Sequence, residues 1–286
     1  MGKVEDRSTD MEGVSVNPYD YLIKSFFAGP SGSGKTQGMT TMPGRKLFVD
    51  VDNRAETLAG MKDISVVRCT EADSRAPKAW QDLTSLQKDI VSDIRKEVFP
   101  YDSIIYDGVT MMGRISMNWA LMLDPKRGLG GAPAQQHYLP QMDALSKFML
   151  NSLTIPRHIG YTGHMELHED AEAGRMKFYP KITGKLRTEL ANWFNETYYC
   201  SRAKGKDGET VYSWTTSGNG REEFFKSSMN TLGKFWNDPI VINFDAEKVG
   251  FQDLLNRRFG DAWTREIETK NSAGVVGGTG EGSAKS

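Results

Sequence analysis

Eight consecutive residues, Gly29-Pro30-Ser31-Gly32-Ser33-Gly34-Lys35-Thr36, match the pattern G-x-x-x-x-G-K-[ST] at every fixed position. The chemistry explains the spacing. Glycines let successive backbone N–H groups turn inward around a phosphate chain, where a Cβ would collide. The lysine then reaches the β- and γ-phosphates, and the hydroxyl that follows is a Mg²⁺ ligand. Such a loop works only between a strand that leads in and a helix that leads out. The apolar, β-rich run at 22–28 (LIKSFFA) stands directly before it. The pattern therefore predicts a strand–loop–helix unit that holds ATP with Mg²⁺ through Gly29 to Thr36.

The rest of the ordered sequence repeats that alternation. Short apolar runs at 46–52 (KLFVDVD), 65–69 (SVVRC), 103–106 (SIIY) and 158–162 (HIGYT) predict four further strands. Between them, 80–98 places Leu83, Leu86, Ile90, Ile94 and Val98 on one helical face, and 139–153 is again helical. Strands separated by helices of this length form βαβ units and a mainly parallel sheet. Past residue 190, the runs at 196–202 and 210–216 flank Lys204-Gly205-Lys206-Asp207-Gly208, which predicts an antiparallel hairpin. The expected class is α/β: a P-loop core with flanking helices and an antiparallel C-terminal hairpin extension. Residues 1–18 are polar and aperiodic and read as a flexible leader. Residues 269–286 are Gly/Ser-rich, too poor in apolar surface to offset their ordering entropy, and read as a disordered tail. The domain is expected at 19–268.

Composition narrows the class further. Lys and Arg total 36 against 37 Asp and Glu, a formal net charge of −1, so bulk charge alone does not hold this chain on nucleic acid. Two cysteines, Cys69 and Cys200, exclude a disulfide scaffold and point to a reducing, cytoplasmic setting. No apolar run approaches the roughly 18 residues that span a bilayer. A P-loop also needs a carboxylate at the end of a neighbouring strand, to hold Mg²⁺ through its water shell. Asp107, directly after Ser103-Ile104-Ile105-Tyr106, answers that need.

In order and spacing, the chain resembles the RecA-like P-loop ATPases from about Tyr21 to Gly260, and most closely a phage-encoded branch linked to single-strand annealing and recombination. The residues that carry this are the Gly29–Thr36 loop, the Pro43-Gly44 turn into Leu47-Phe48-Val49-Asp50, the Trp80 helix, and Ile104-Ile105-Tyr106-Asp107. The helix near Leu145, Tyr161-Thr162-Gly163-His164 and the stretch from Pro180 to Lys185 continue it. The resemblance implies that a carboxylate after the second strand polarises the attacking water. Asp52 holds that position, one methylene shorter than the family's glutamate, with Glu56 as a fallback. It also implies that His164 stands where a polar residue senses the γ-phosphate.

Two segments then correspond to DNA-facing loops. The first is 123–133, with Lys126 and Arg127. The second is 165–187, which turns basic and aromatic with Arg175, Lys177, Phe178 and Lys181. Cations with aromatic faces between them suit single-stranded DNA. The resemblance further implies self-association into a ring or filament, and work alongside phage replication or recombination proteins in a host cytoplasm. Arg202, Lys204, Lys206 and Arg221 are candidates for a finger reaching a neighbouring subunit's nucleotide. Two other classes stay open on the residues alone: a P-loop nucleotide kinase, and a non-hydrolysing module that uses ATP as an assembly ligand.

Overall fold

The computed structural model describes residues 21–124, 126, 132–170, 174–218 and 220–260. The expected leader at 1–18, the tail at 269–286 and Arg127 lie outside the described residues.

The first half alternates strands and helices: β1 (Lys24–Ala28), α1 (Lys35–Met39), β2 (Lys46–Asp50), β3 (Ile64–Arg68), α2 (Ala79–Arg95), β4 (Ser103–Asp107), α3 (Val109–Met122), α4 (Gln135–Leu153) and β5 (His158–Gly163). A hairpin of β6 (Met165–Asp170) and β7 (Arg175–Pro180) follows, then α5 (Leu186–Trp193), β8 (Glu196–Lys204), β9 (Thr210–Thr215), the short β10 (Lys226–Ser227), β11 (Ile240–Ile242) and α6 (Phe251–Phe259). Nine strands form one sheet in the order β11-β9-β8-β1-β5-β4-β2-β3, with β10 added beside β8. From β8 to β3 every pairing is parallel, while β9, β10 and β11 pair antiparallel. The C-terminal hairpin is therefore part of the main sheet, joined to it through β8 against β1.

The central strands are continuous apolar runs because helices cover both faces of the sheet. Side chains alternate between two cores. Phe26, Leu47, Val49, Ile104, Tyr106, Ile159 and Tyr161 pack on one face with α2, α3, α4 and α5. Phe27, Phe48, Ile105, Tyr198 and Trp214 pack on the other with α1 and α6. The helix predicted from Leu139 begins four residues earlier, at Gln135, and carries Pro140 inside it. His137 permits this: its Nδ1 accepts from Ala134 N–H at 2.9 Å and its Nε2 meets Asp124 Oδ2 at 3.0 Å, which organises the first turn.

The segment at 165–187, expected as a flexible loop, is different. Six residue pairs from Met165↔Pro180 to Asp170↔Arg175 zip it into an antiparallel ribbon. At its far end Asp170 lies opposite Arg175 and pairs diagonally with Lys177 at 2.5 Å, and that complementarity favours the pairing.

The short helix α1 is pressed into the second core. A Cβ on Gly38 would lie 2.7 Å from the Phe27 ring and 2.8 Å from the Trp214 ring, both wholly buried. Gly38→Ala is expected to cost about 1–3 kcal/mol through overpacking. A urea unfolding curve that matches the parent protein would show that α1 is not seated this tightly.

Candidate functional site

Because β1, β2, β4 and β5 run parallel, their carboxyl ends meet along one edge of the sheet, and the loop after each opens there. The phosphate-binding loop leaves β1 at that edge. Gly29 N–H donates to Gly163 O at 3.3 Å, and a Cβ on Gly29 would sit 2.2 Å from the Cys200 carbonyl oxygen. Only glycine fits between the backbones of β5 and β8. Gly32 and Gly34 adopt φ of 71° and 81°, the left-handed region that glycine enters without strain. The Pro30 carbonyl accepts from Ser33 N–H at 3.4 Å and closes the turn through Ser31. Ser33 Oγ is buried and makes no hydrogen bond. Lys35 arches back so that Nζ donates to Gly29 O at 3.0 Å and Pro30 O at 2.8 Å. Burial pulls its pKa down, while Cys200, Asp107 and Asp52 oppose that shift.

Asp107 ends β4. The strand is not the neighbour of β1 that the sequence suggested, since β5 lies between them. The carboxylate still crosses to the loop: Thr36 Oγ1 donates to Asp107 Oδ2 at 2.8 Å, and Thr162 Oγ1 donates to Asp107 Oδ1. Asp52 lies beside it. Its N–H and that of Val51 both donate to the Asp107 carbonyl, at 3.1 and 2.7 Å. Burial, and then the Asp107 charge, hold its carboxyl above the usual range. Asp50 serves the backbone instead. Buried at the end of β2, it accepts from Arg54 and Ala55 N–H at 3.1 and 3.2 Å, shaping the turn that carries Asp52. Glu56, the fallback, does not join the site. It is exposed on that turn and pairs with Arg68 at 3.4 Å. Arg54 was missed by sequence reasoning; its charge is felt at Lys35, Asp52 and His164. Nothing in its immediate sequence distinguishes it from any other turn cation.

His164 follows β5. Its N–H donates to Thr110 Oγ1 at 3.2 Å and its carbonyl accepts from Lys181 N–H at 2.8 Å. Burial, then Lys35 and Arg54, lower the ring's pKa, and the Gly29 backbone beside it opposes them. The residue thus links the phosphate-binding loop to the base of the β6–β7 ribbon.

Beyond it opens a groove of about 980 Å³, lined among others by Arg114, Pro133, Tyr138, Glu166, Lys181 and Arg187. Both segments expected to face DNA border it, but the cations differ from those expected. Lys181 lines the groove. Arg175 is paired with Glu223, and Lys177 lies 2.5 Å from Asp170 and 2.7 Å from Glu223. Phe178 stacks on Tyr199 with ring centroids 5.4 Å apart, and Lys126 is exposed beside Asp124 rather than in the groove. Arg187, a cation of the 165–187 segment, also lines the groove; Arg114 was missed, because its exposure to the groove follows from how α3 packs. Arg202, a candidate finger toward another subunit, instead meets its own loop: a Cβ on Gly32 would lie 2.8 Å from Arg202 Nη1.

A strand-loop-helix phosphate cradle at the carboxyl edge of a mainly parallel sheet, with an acidic residue reaching across to Thr36, defines a P-loop nucleotide-binding protein. The profile of AAA_24, an AAA domain family, matches residues 23–222, and the chain belongs to that family, which is of the P-loop ATPase type. Among curated proteins none matches the chain. Among the described residues no helix is long and apolar enough to cross a membrane.

The two carboxylates make a pH prediction. Since the folded protein raises the pKa of Asp52, it binds that proton more tightly than the unfolded chain does. The resulting stability is present at low pH and lost as pH rises through the carboxylate range toward the raised value. Asp52→Asn should therefore be more stable than the parent at neutral pH, the gain vanishing below about pH 4. Urea unfolding across pH measures this; a gain that does not change with pH would refute it.

Proposed function

We propose that this protein is a Mg²⁺-dependent, RecA-like ATPase that acts on single-stranded DNA in recombination or annealing, of the phage type its sequence resembles. The observation that carries the reading is the path from the phosphate loop through His164 to the cationic groove. His164 stands beside the Gly29 backbone on one side, and on the other its carbonyl accepts from Lys181 N–H at 2.8 Å.

The residues suit the chemistry. Lys35 exchanges its two carbonyl partners for phosphate oxygens, and the loop's backbone N–H groups surround the same anion. The buried, unpartnered Ser33 hydroxyl and the Thr36–Asp107 oxygen pair are hard donors of the kind a phosphate-bound Mg²⁺ takes. Thr36 would hold the cation directly and Asp107 through water; bound there, Mg²⁺ neutralises charge on the β- and γ-phosphates. Asp52 orients the attacking water. His164 answers the added negative charge by shifting its contacts with Gly29 and Lys181, and so biases the groove between two arrangements. Arg114, Lys181 and Arg187 would contact the DNA backbone, with Tyr138 offering a stacking face. Subunits would assemble with the nucleotide near their interface.

Steady-state ATP hydrolysis with and without single-stranded DNA tests the proposal, with Lys35→Ala as the inactive control. Stimulation by DNA is expected in the parent and absent in the control. Arg114→Ala and Lys181→Ala should each weaken DNA binding and lower its log–log salt slope by about one. ATP binding without hydrolysis or any response to DNA would sink the proposal and favour an assembly module.

A further inference from the structure

We propose that the β8–β9 hairpin and the segment after β11 complete the nucleotide site within the same chain. Tyr212 and Phe244 would receive a purine base, and Arg202 would cover the phosphates. This rests on the nucleotide-binding reading above; it gives Tyr212 and Phe244 a role that the motif does not point to and turns Arg202 from a neighbouring subunit's nucleotide to that of its own chain, and Phe244 lies beyond the matched residues.

Three observations place these side chains. A Cβ on Gly34 would lie 3.1 Å from Tyr212 Cδ1 and 3.4 Å from the Phe244 ring, so both rings lie against the last turn of the phosphate loop. The two rings are edge-to-face with centroids 5.4 Å apart, and both are half-buried, so part of their surface stays exposed. Arg202 and Tyr212 are directly opposed across β8 and β9, which puts them on one face of the hairpin. Arg202 accordingly reaches Gly32 while Tyr212 reaches Gly34.

The arrangement separates two chemistries along the loop. At Gly32 an exposed guanidinium is suited to phosphate oxygens. At Gly34, where the chain turns into α1, two aromatic faces are suited to the flat π-surface of a base. A nucleoside triphosphate has that same polarity, charged at one end and aromatic at the other. A bare phosphate chain has only the first.

The test compares two probes by calorimetry, Mg²⁺-ATP and inorganic tripolyphosphate, on the full chain. Tyr212→Ala and Phe244→Ala should each weaken ATP about tenfold or more while leaving tripolyphosphate within about twofold. Tyr212→Phe should restore ATP binding. Arg202→Ala should weaken both probes by a similar factor. If an alanine variant loses both probes together, Tyr212→Leu and Phe244→Leu, which keep apolar bulk without a ring face, decide the matter by the same ratio. ATP binding unchanged in the ring variants, while Lys35→Ala abolishes it, would overturn the base subsite and spare the nucleotide reading. Absence of ATP binding in the parent protein would overturn both.

Discussion

The rest of the site depends on the seating of Gly29 between two strands. Its N–H is bonded to the Gly163 carbonyl of β5, and the Cys200 carbonyl of β8 leaves no space for a side chain. The phosphate loop is thus held by backbone on both flanks before any side chain contributes. Since β5 and β8 both run parallel to β1, each also brings its own carboxyl end to the same place. From β5 come Thr162 and His164; from β8 comes Arg202. The parallel sheet is the device that gathers residues far apart in the chain, and the two-sided apolar cores on either face keep its strands in register.

Electrostatics then sorts similar residues into different roles. Asp50, Asp52 and Asp107 lie at the ends of adjacent strands, yet their surroundings differ. Asp50 accepts from backbone N–H groups and Asp107 from two threonine hydroxyls. Asp52, half-buried next to Asp107, carries a raised pKa as the consequence. Cations divide the same way. The overall charge is nearly balanced, and Arg68, Arg175 and Lys177 are engaged by acids. Lys35, Arg54, Lys181 and Arg202 are gathered around the loop and groove. A near-zero net charge is therefore compatible with a local anion site, because the pairing is uneven in space.

Much of this was legible in the residues. The phosphate loop, the order of the β1 to β5 strands along the chain and the terminal carboxylate Asp107 follow from spacing and alternation, which act over a few residues. The basic, aromatic character of 175–181 was legible too, but its meaning was not. Arg175 and Lys177 look like free cations in sequence, and become ion-pair partners because register sets Asp170 across from Arg175 and the fold brings Glu223 alongside. Glu56 looked like a fallback for Asp52. The turn anchored by Asp50 points it at Arg68 instead.

By itself the sequence determined that a phosphate-binding loop joins a strand to a helix in an α/β domain, because glycine, lysine and threonine at that spacing have one cooperative use. Only the tertiary structure decided which strand separates β1 from Asp107, which cations open onto the groove, and that Arg202, Tyr212 and Phe244 lie against the loop. Those outcomes depend on strand order and cross-strand register. Both are set by contacts between residues distant in the chain, such as Phe26 beside Tyr161 and Tyr198 beside Phe27, where local pattern carries no information.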